Sequence, residues 1–253
     1  MLPDAASWAQ SSAYDYWDDL TPEGVAWEFL RRNADYQREF ADGTADPEDW
    51  GLRTLRDPAS TGLGAPVHWT PGLNPSEILF APQPLPPLSS EASLNKILLP
   101  DDGQDDLGPF GAIGHGPAQV QISYLGDHAA NAPLCVVIPF DTHLNDRLDA
   151  LYRLRHILDG RPAPDQRLTA DKRRRTRSMA QAFDARTAGA TQREIAQSFF
   201  GQERVNAEHW KTSSLRYTTL RLLQDAENMV EGGYLGVLSA APIRRARPTH
   251  RLT

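Results

Sequence analysis

Thr191-Gln192-Arg193-Glu194-Ile195-Ala196-Gln197-Ser198-Phe199-Phe200-Gly201 decides the C-terminal fold. Thr191 is a capping residue, and Glu194 three positions on completes a capping box. Ile195, Ala196 and Phe199 share one helix face, where the small Ala196 admits a second helix at close range. Gly201 permits a left-handed turn that a side chain would resist. The pattern is that of the first helix and turn of a helix-turn-helix. Residues 202–211 then hold a short helical turn, and Ser213 or Ser214 caps a further helix. That helix turns Leu215, Thr219, Leu222, Leu223, Ala226 and Val230 inward. Its outer face offers Arg216, Tyr217, Arg221 and Gln224, preceded by Lys211, Thr212, Ser213 and Ser214.

This chemistry suits nucleic acid. A helix start points backbone N–H groups at phosphate, and hydroxyls and Lys add donors beside it. Arg takes guanine bidentately in the major groove. The expected DNA-binding residues are Lys172, Arg174, Arg175, Gln192, Arg193, Lys211, Thr212, Ser213, Ser214, Arg216, Tyr217 and Arg221. Two readings compete with DNA: plain helical packing, and a helix-turn-helix face that binds another regulatory protein.

The charge distribution agrees with a polyanion partner. Residues 1–140 hold 20 acids and 6 bases and the remainder 13 and 20, within a formal net charge of −7. An acidic front joined to a basic rear assigns the two halves different partners.

Working outward, a helix runs from Asp141 to Gly160 with Leu144, Leu148, Leu151, Leu154 and Ile157 on one face and Arg147, Arg153 and Arg155 around the rest. Thr169 caps the next helix, which carries Lys172-Arg173-Arg174-Arg175 and Arg177 outside and Thr176, Met179, Ala180 and Phe183 inside. Eleven of the 20 prolines lie between Pro58 and Pro117, which disfavours regular helix. Gln83-Pro84-Leu85-Pro86-Pro87 reads as an extended connector. Glu77–Ala81, Ala118–Leu125 and Leu134–Phe140 read as strands, the second half-buried because Val120, Ile122 and Tyr124 alternate. At the front, Thr21, Pro22 and Glu23 open a helix whose apolar stripe runs through Val25, Phe29, Tyr36 and Phe40 to a stop at Asp42-Gly43. Trp8, Trp17, Trp27, Trp50 and Trp69 form its core or, on the alternative reading, a protein-docking surface.

The fold expected is α+β. It comprises a helical unit over 1–70, a Pro-rich connector and small antiparallel β region over 71–140, a helix-turn-helix domain over 141–238, and a basic flexible tail over 239–253 with Arg244, Arg245, Arg247 and Arg251.

Several classes are disfavoured. No apolar run reaches the roughly 18 residues of a membrane span, and Met1–Gln10 does not read as a secretory signal. The single Cys135 reads as a small core residue in a reducing cytoplasm. Asp101-Asp102-Gly103-Gln104-Asp105-Asp106 places Ala112 where a calcium loop wants a carboxylate, so a solvated loop is expected and no metal. Gly108, Gly111, Gly114 and Gly116 do not open a helix after a strand, so no dinucleotide cofactor is expected. Neither a nucleophile with clustered Arg and His nor paired carboxylates around a metal stands out, and catalysis is not expected.

Finally, Leu168-Thr169 with its basic run, Asp184-Ala185-Arg186, Ala188-Gly189-Ala190, Arg193-Glu194-Ile195-Ala196, Phe200-Gly201, Trp210 to Arg216 and Gly232-Gly233-Tyr234 resemble a helix-turn-helix variant family. That family forms the C-terminal domain of RovC-like regulators and of excision activators carried by proteobacterial integrative conjugative elements. Trp17 to Asn33 resembles the transcriptional-regulator-like domain that precedes it in those activators. The resemblance implies an activator of the gene for a recombination directionality factor, and so of excision and transfer. It also implies three partners: promoter DNA, RNA polymerase, and a small antiactivator of the same C-terminal family.

Overall fold

The computed structural model describes residues 7–82, 102–126, 134–161 and 163–240. The connector at 83–87 and the tail beyond Ala240 lie outside them. The architecture is α+β, with helices at both ends of the chain and a small sheet between.

After two 3-10 segments, Ser7–Ala9 and Ser11–Asp19, the chain forms α1 (Pro22–Leu30), α2 (Ala34–Asp42) and α3 (Pro47–Trp50). The single helix expected from Thr21 to Asp42 is thus two. Thr21 caps α1 by accepting from the Gly24 N–H, with Pro22 in its first turn. Asn33 breaks the run because its side chain accepts from the N–H groups of both Asp35 and Tyr36, opening a second helix. All nine residues of α1 are buried, Glu23 and Glu28 among them.

The strands are β1 (Ile78–Pro82), β2 (Gly103–Asp105), β3 (Gly108–Ile113), β4 (Val120–Tyr124) and β5 (Leu134–Val137). Their order is β2-β3-β4-β1-β5. The expected antiparallel sheet is therefore mixed: β1 and β4 pair in parallel, Leu79 opposite Ser123. β4 is central and buried along its whole length rather than on alternate residues. Phe80, Ile122 and Tyr124 pack against one face with Ala150 and Leu154. Gln121 and Ser123 face a buried polar layer, where Ser123 and Glu77 meet Arg53. The acidic stretch expected as a solvated loop supplies β2 instead. Asp105 takes both Arg53 Nε and Nη2 at 2.6 Å, and Asp102 takes His68 Nε2 at 3.2 Å. Gly108, with φ +126°, closes the β2–β3 turn where an added Cβ would strike the Tyr124 carbonyl. Cys135 is half-buried beside the Pro82 carbonyl, not in the core.

The C-terminal helices are α4 (Leu144–Leu158), α5 (Ala170–Thr187), α6 (Gln192–Phe200), α7 (Gln202–Ala207) and α8 (Ser214–Val230). A 3-10 turn, Trp210–Thr212, precedes α8, and another, Gly233–Val237, follows it. They share a core with the front of the chain. Trp17, Trp27, Phe29 and Trp69 join Leu168, Met179, Ala226, Val230, Tyr234 and Leu238 in one apolar cluster. The tryptophans thus take their core reading, with Trp8 and Trp50 partly buried.

Charged groups cross that core. Arg32 grips Asp184 of α5 through Nε and Nη2, both at 2.8 Å, while Tyr14 donates to the same carboxylate at 2.7 Å. Behind Arg32 stands Glu28, 2.7 Å from its Nη1. Burial alone would raise the Glu28 carboxyl, yet Arg32 and Arg31 hold it below the usual range. Arg167 donates to Glu23, Asp165, Asn74 and the Leu238 carbonyl. Arg153, expected on the outside of α4, is buried, paired with the buried Asp165 and with the partly exposed Asp149.

Removing Asp184 leaves Arg32, whose side chain is 2% exposed, buried without its main partner. Asp184→Ala is expected to lower stability by about 3–5 kcal/mol in urea titrations followed by tryptophan fluorescence. A loss below about 1 kcal/mol would show that the pair is not a structural tie. A second expectation concerns Glu77, whose carboxyl is pushed up to about 7, chiefly by burial and against the pull of Arg53 and Ser123. A raised carboxyl stabilises fully below its unfolded value and loses that contribution as pH rises through about 7. Glu77→Gln removes this slope. Relative to the unmodified chain, the variant gains in urea midpoint between about pH 5 and about pH 8; an unchanged difference contradicts the assignment.

Candidate nucleic-acid interface

Three helices build the surface. α6 starts with the expected capping box: Thr191 Oγ1 accepts from the Glu194 N–H, and the Glu194 carboxylate accepts from the Thr191 N–H at 2.7 Å. These bonds hold the Glu194 carboxyl below its usual range. Gly201, at φ +87°, turns the chain into α7. Asn206 of α7 accepts from Arg193 at 3.0 Å and from Gln197 at 3.3 Å, which fixes α7 against α6. Ala196, Val205 and Leu215 form a small core beneath, sealed by Phe200 and Trp210. A second cluster, Ala182, Ala185, Ile195 and Leu223, seats α6 and α8 on α5.

α8 begins at Ser213, whose Oγ accepts from the Leu215 N–H at 3.0 Å and donates to Glu208. Ser213 was expected to face DNA, but it is 5% exposed and its hydroxyl is engaged at both ends, so it serves the cap. Around it Lys211, Thr212 and Ser214 are exposed. Tyr217 is 58% exposed, Arg221 is exposed, and the half-buried Arg216 holds its guanidinium carbon 5.7 Å from the Tyr217 ring centre. The structure brings these groups together within the first turns of α8.

It does not bring the basic run to the same place. Arg175 pairs with Asp225 at 2.6 Å, in the second half of α8 and 11 residues from Ser214, or about 17 Å along the axis. Arg174 pairs with Asp171, and Lys172 donates to the Arg167 carbonyl at 3.1 Å. Arg173 donates to the carbonyls of Trp17 and Leu20, and Arg177 to Asp15 and Ser11. Much of the run straps α5 to its neighbours. Gln192 is half-buried at the start of α6 and lines a shallow groove with Arg186, Leu220, Gln224 and Glu227.

Sequence reasoning missed Arg186 and Arg204. Both are exposed, and neither forms an ion pair among the described residues. Extending the polar-face reading into residues 202–211 would have found Arg204, since α7 buries only Val205. Nothing in the sequence pattern places Arg186 beside α8. Among the described residues no group of His, Cys, Asp and Glu is disposed to hold a metal, and no helix is long and apolar enough to cross a membrane.

Residues 137–239, spanning α4 to the last 3-10 turn, match the family described as "T6SS, Transcription factor, DNA binding domain". Residues 7–64, spanning α1 to α3, match the proteobacterial transcriptional regulator-like domain. No curated protein matches the chain. The two domains support a DNA-binding transcription regulator, and both descriptions are those of regulators rather than of enzymes.

Lys211 and Lys172 offer a direct comparison. Lys211→Ala should weaken binding to operator and random duplex alike and lower the salt slope by about 0.9, the share of one phosphate contact. Lys172→Ala should change the slope by less than half of that. Equal effects in fluorescence anisotropy titrations would put the basic run of α5 on the DNA after all.

Proposed function

We propose that the chain is a sequence-specific transcriptional activator that seats the start of α8 in the major groove of its operator. One observation carries this reading. Lys211, Thr212, Ser214, Arg216, Tyr217 and Arg221 gather around the capped start of one 17-residue helix, inside the span that matches a DNA-binding domain. The helix-turn-helix reading assigns α6 to hold α8 at the groove and Gln192 and Arg193 to flank it, with Arg216 and Arg221 the candidates for base contact. Lys172, Arg174 and Arg175 rank below these, since each already has a partner within the chain. The site needs no cofactor for this task.

The resemblance to excision activators supplies the finer reading. On it the promoter belongs to a recombination directionality factor gene, the partners are RNA polymerase and a small antiactivator of the same C-terminal family, and the place of action is the cytoplasm. A second reading has the α8 face bind another regulatory protein instead of DNA. It is favoured by the exposure of Leu220, 38%, beside Tyr217 on that face.

Footprinting on DNA upstream of candidate genes of the element, with and without a candidate antiactivator, separates these. A discrete protected site that the antiactivator abolishes is the expected result. Protection only at promoters unrelated to excision would remove the mobile-element assignment. No protection at modest salt, with tight binding to the antiactivator, would favour the second reading.

A further inference from the structure

The exposed face of α8 changes sign along its length. Tyr217, Leu220, Arg221, Gln224, Asp225, Glu227, Asn228 and Glu231 line one continuous shallow groove of about 640 Å³. Its first half carries Arg221, with Lys211 and Arg216 just ahead, and its second half carries Asp225, Glu227 and Glu231. Asp225 is matched by Arg175 at 2.6 Å. Glu227 and Glu231 are both exposed and form no ion pair among the described residues. Helical spacing places Glu227 and Glu231 on the same side as Leu220 and Gln224, so they are not turned away from whatever Tyr217 and Arg221 meet.

We infer that α8 meets DNA end-on, by its first two turns, and that Glu227 and Glu231 form an electrostatic stop that keeps the second half out of the groove. The inference rests on the DNA reading of α8 proposed above. Tyr217 and Glu231 are 14 residues, or about 21 Å, apart along the axis, so a helix lying lengthwise in the groove would carry its acidic half in with its basic half. A helix laid along the groove would bring both carboxylates to the phosphates; Arg186 lines a groove with Glu227 and offsets that charge in part, while Glu231 has no ion-pair partner among the described residues. Tilted end-on, it keeps Lys211, Arg216 and Arg221 at the duplex and the acids in solvent. Repulsion of this kind weakens every misoriented and non-specific complex more than the correct one, and so acts on selectivity. Seen this way, the acids of the C-terminal half serve the same surface as its bases.

The test uses the full chain, a labelled random-sequence duplex as probe, and the conservative double variant E227Q/E231Q with a Lys211→Ala control. Removing the stop should tighten binding to random duplex about tenfold at about 50 mM salt, and the gain should vanish above about 0.5 M as screening shortens the reach of the charges. Circular dichroism should show an unchanged fold. Unchanged affinity in E227Q/E231Q, with Lys211→Ala still weakened, overturns the end-on stop and leaves the DNA reading standing. A gain that persists at high salt also overturns it, because packing rather than charge would then be responsible. Failure of the unmodified chain to bind any duplex at low salt removes the DNA reading and this inference together.

Discussion

The contact between Arg32 and Asp184 is the constraint around which the chain is organised. A planar guanidinium meets a carboxylate through two parallel bonds of 2.8 Å, with Glu28 behind the cation and the Tyr14 hydroxyl on the anion. Arg32 is 2% exposed, so its desolvation is offset only while both carboxylates stay in place. Burial and the Asp184 charge together push the Tyr14 hydroxyl far above its usual range. The pair spans 152 residues of sequence and joins the segment just past α1 to the last turn of α5. Any slippage of one helix against the other would strand a charge in an apolar core.

That tie determines where α6 and α8 stand. α5 carries Asp184 on one side and packs Ala182 and Ala185 against Ile195 and Leu223 on another, so α6 and α8 inherit their position from it. Asn33, three residues beyond the end of α1, donates to the carbonyl of Val230 at 3.1 Å and so holds the far end of α8. The regulator-like front and the DNA-binding rear therefore do not behave as beads on a string. A partner that shifts α1 would act on α8 through a packed core rather than through a linker. The sheet lies mostly outside both matched spans, yet is tied in by Arg167, which joins Glu23 of α1 to Asn74 ahead of β1.

What was legible in the sequence was whatever depends on local periodicity and caps. The capping box of Thr191 and Glu194, the Gly201 turn, the Thr169 and Ser213 caps and the inward face of α8 each involve residues within a few positions of one another. What was not legible depends on partners far along the chain. The break at Asn33 is a local cap on Asp35 and Tyr36 that the continuous apolar stripe masks, whereas its tie to Val230 depends on a partner 197 positions away. Asp102 and Asp105 look like a solvated acidic loop until Arg53 and His68 arrive from residues 52 and 34 positions away. Arg153 and Arg173 have the spacing of a solvated face, and only the folded chain shows the carboxylates and carbonyls that draw them inward. The mixed sheet escaped for a similar reason, since pattern alone does not say that β4 returns beside β1 in parallel.

The same distinction bears on charge. Counting acids and bases in each half of the chain points to a cationic rear, but many of those cations are consumed by the fold. Arg153, Arg167, Arg173 and Arg177 serve contacts within the chain. Among the described residues, the cations left for a polyanion on this side are few: Lys211 just ahead of α8 and Arg216 and Arg221 in its first half, with Arg186, Arg193 and Arg204 nearby on α5, α6 and α7. Few contacts imply a shallow salt dependence and modest non-specific affinity, since each phosphate neutralised adds about 0.9 to the slope. For a chain carrying a net charge of −7, long-range repulsion reduces non-specific affinity further. On the DNA reading proposed for α8, selective binding then comes from the short-range geometry of one helix end. The capped, donor-rich start of α8 and the acidic half behind it are suited to that demand.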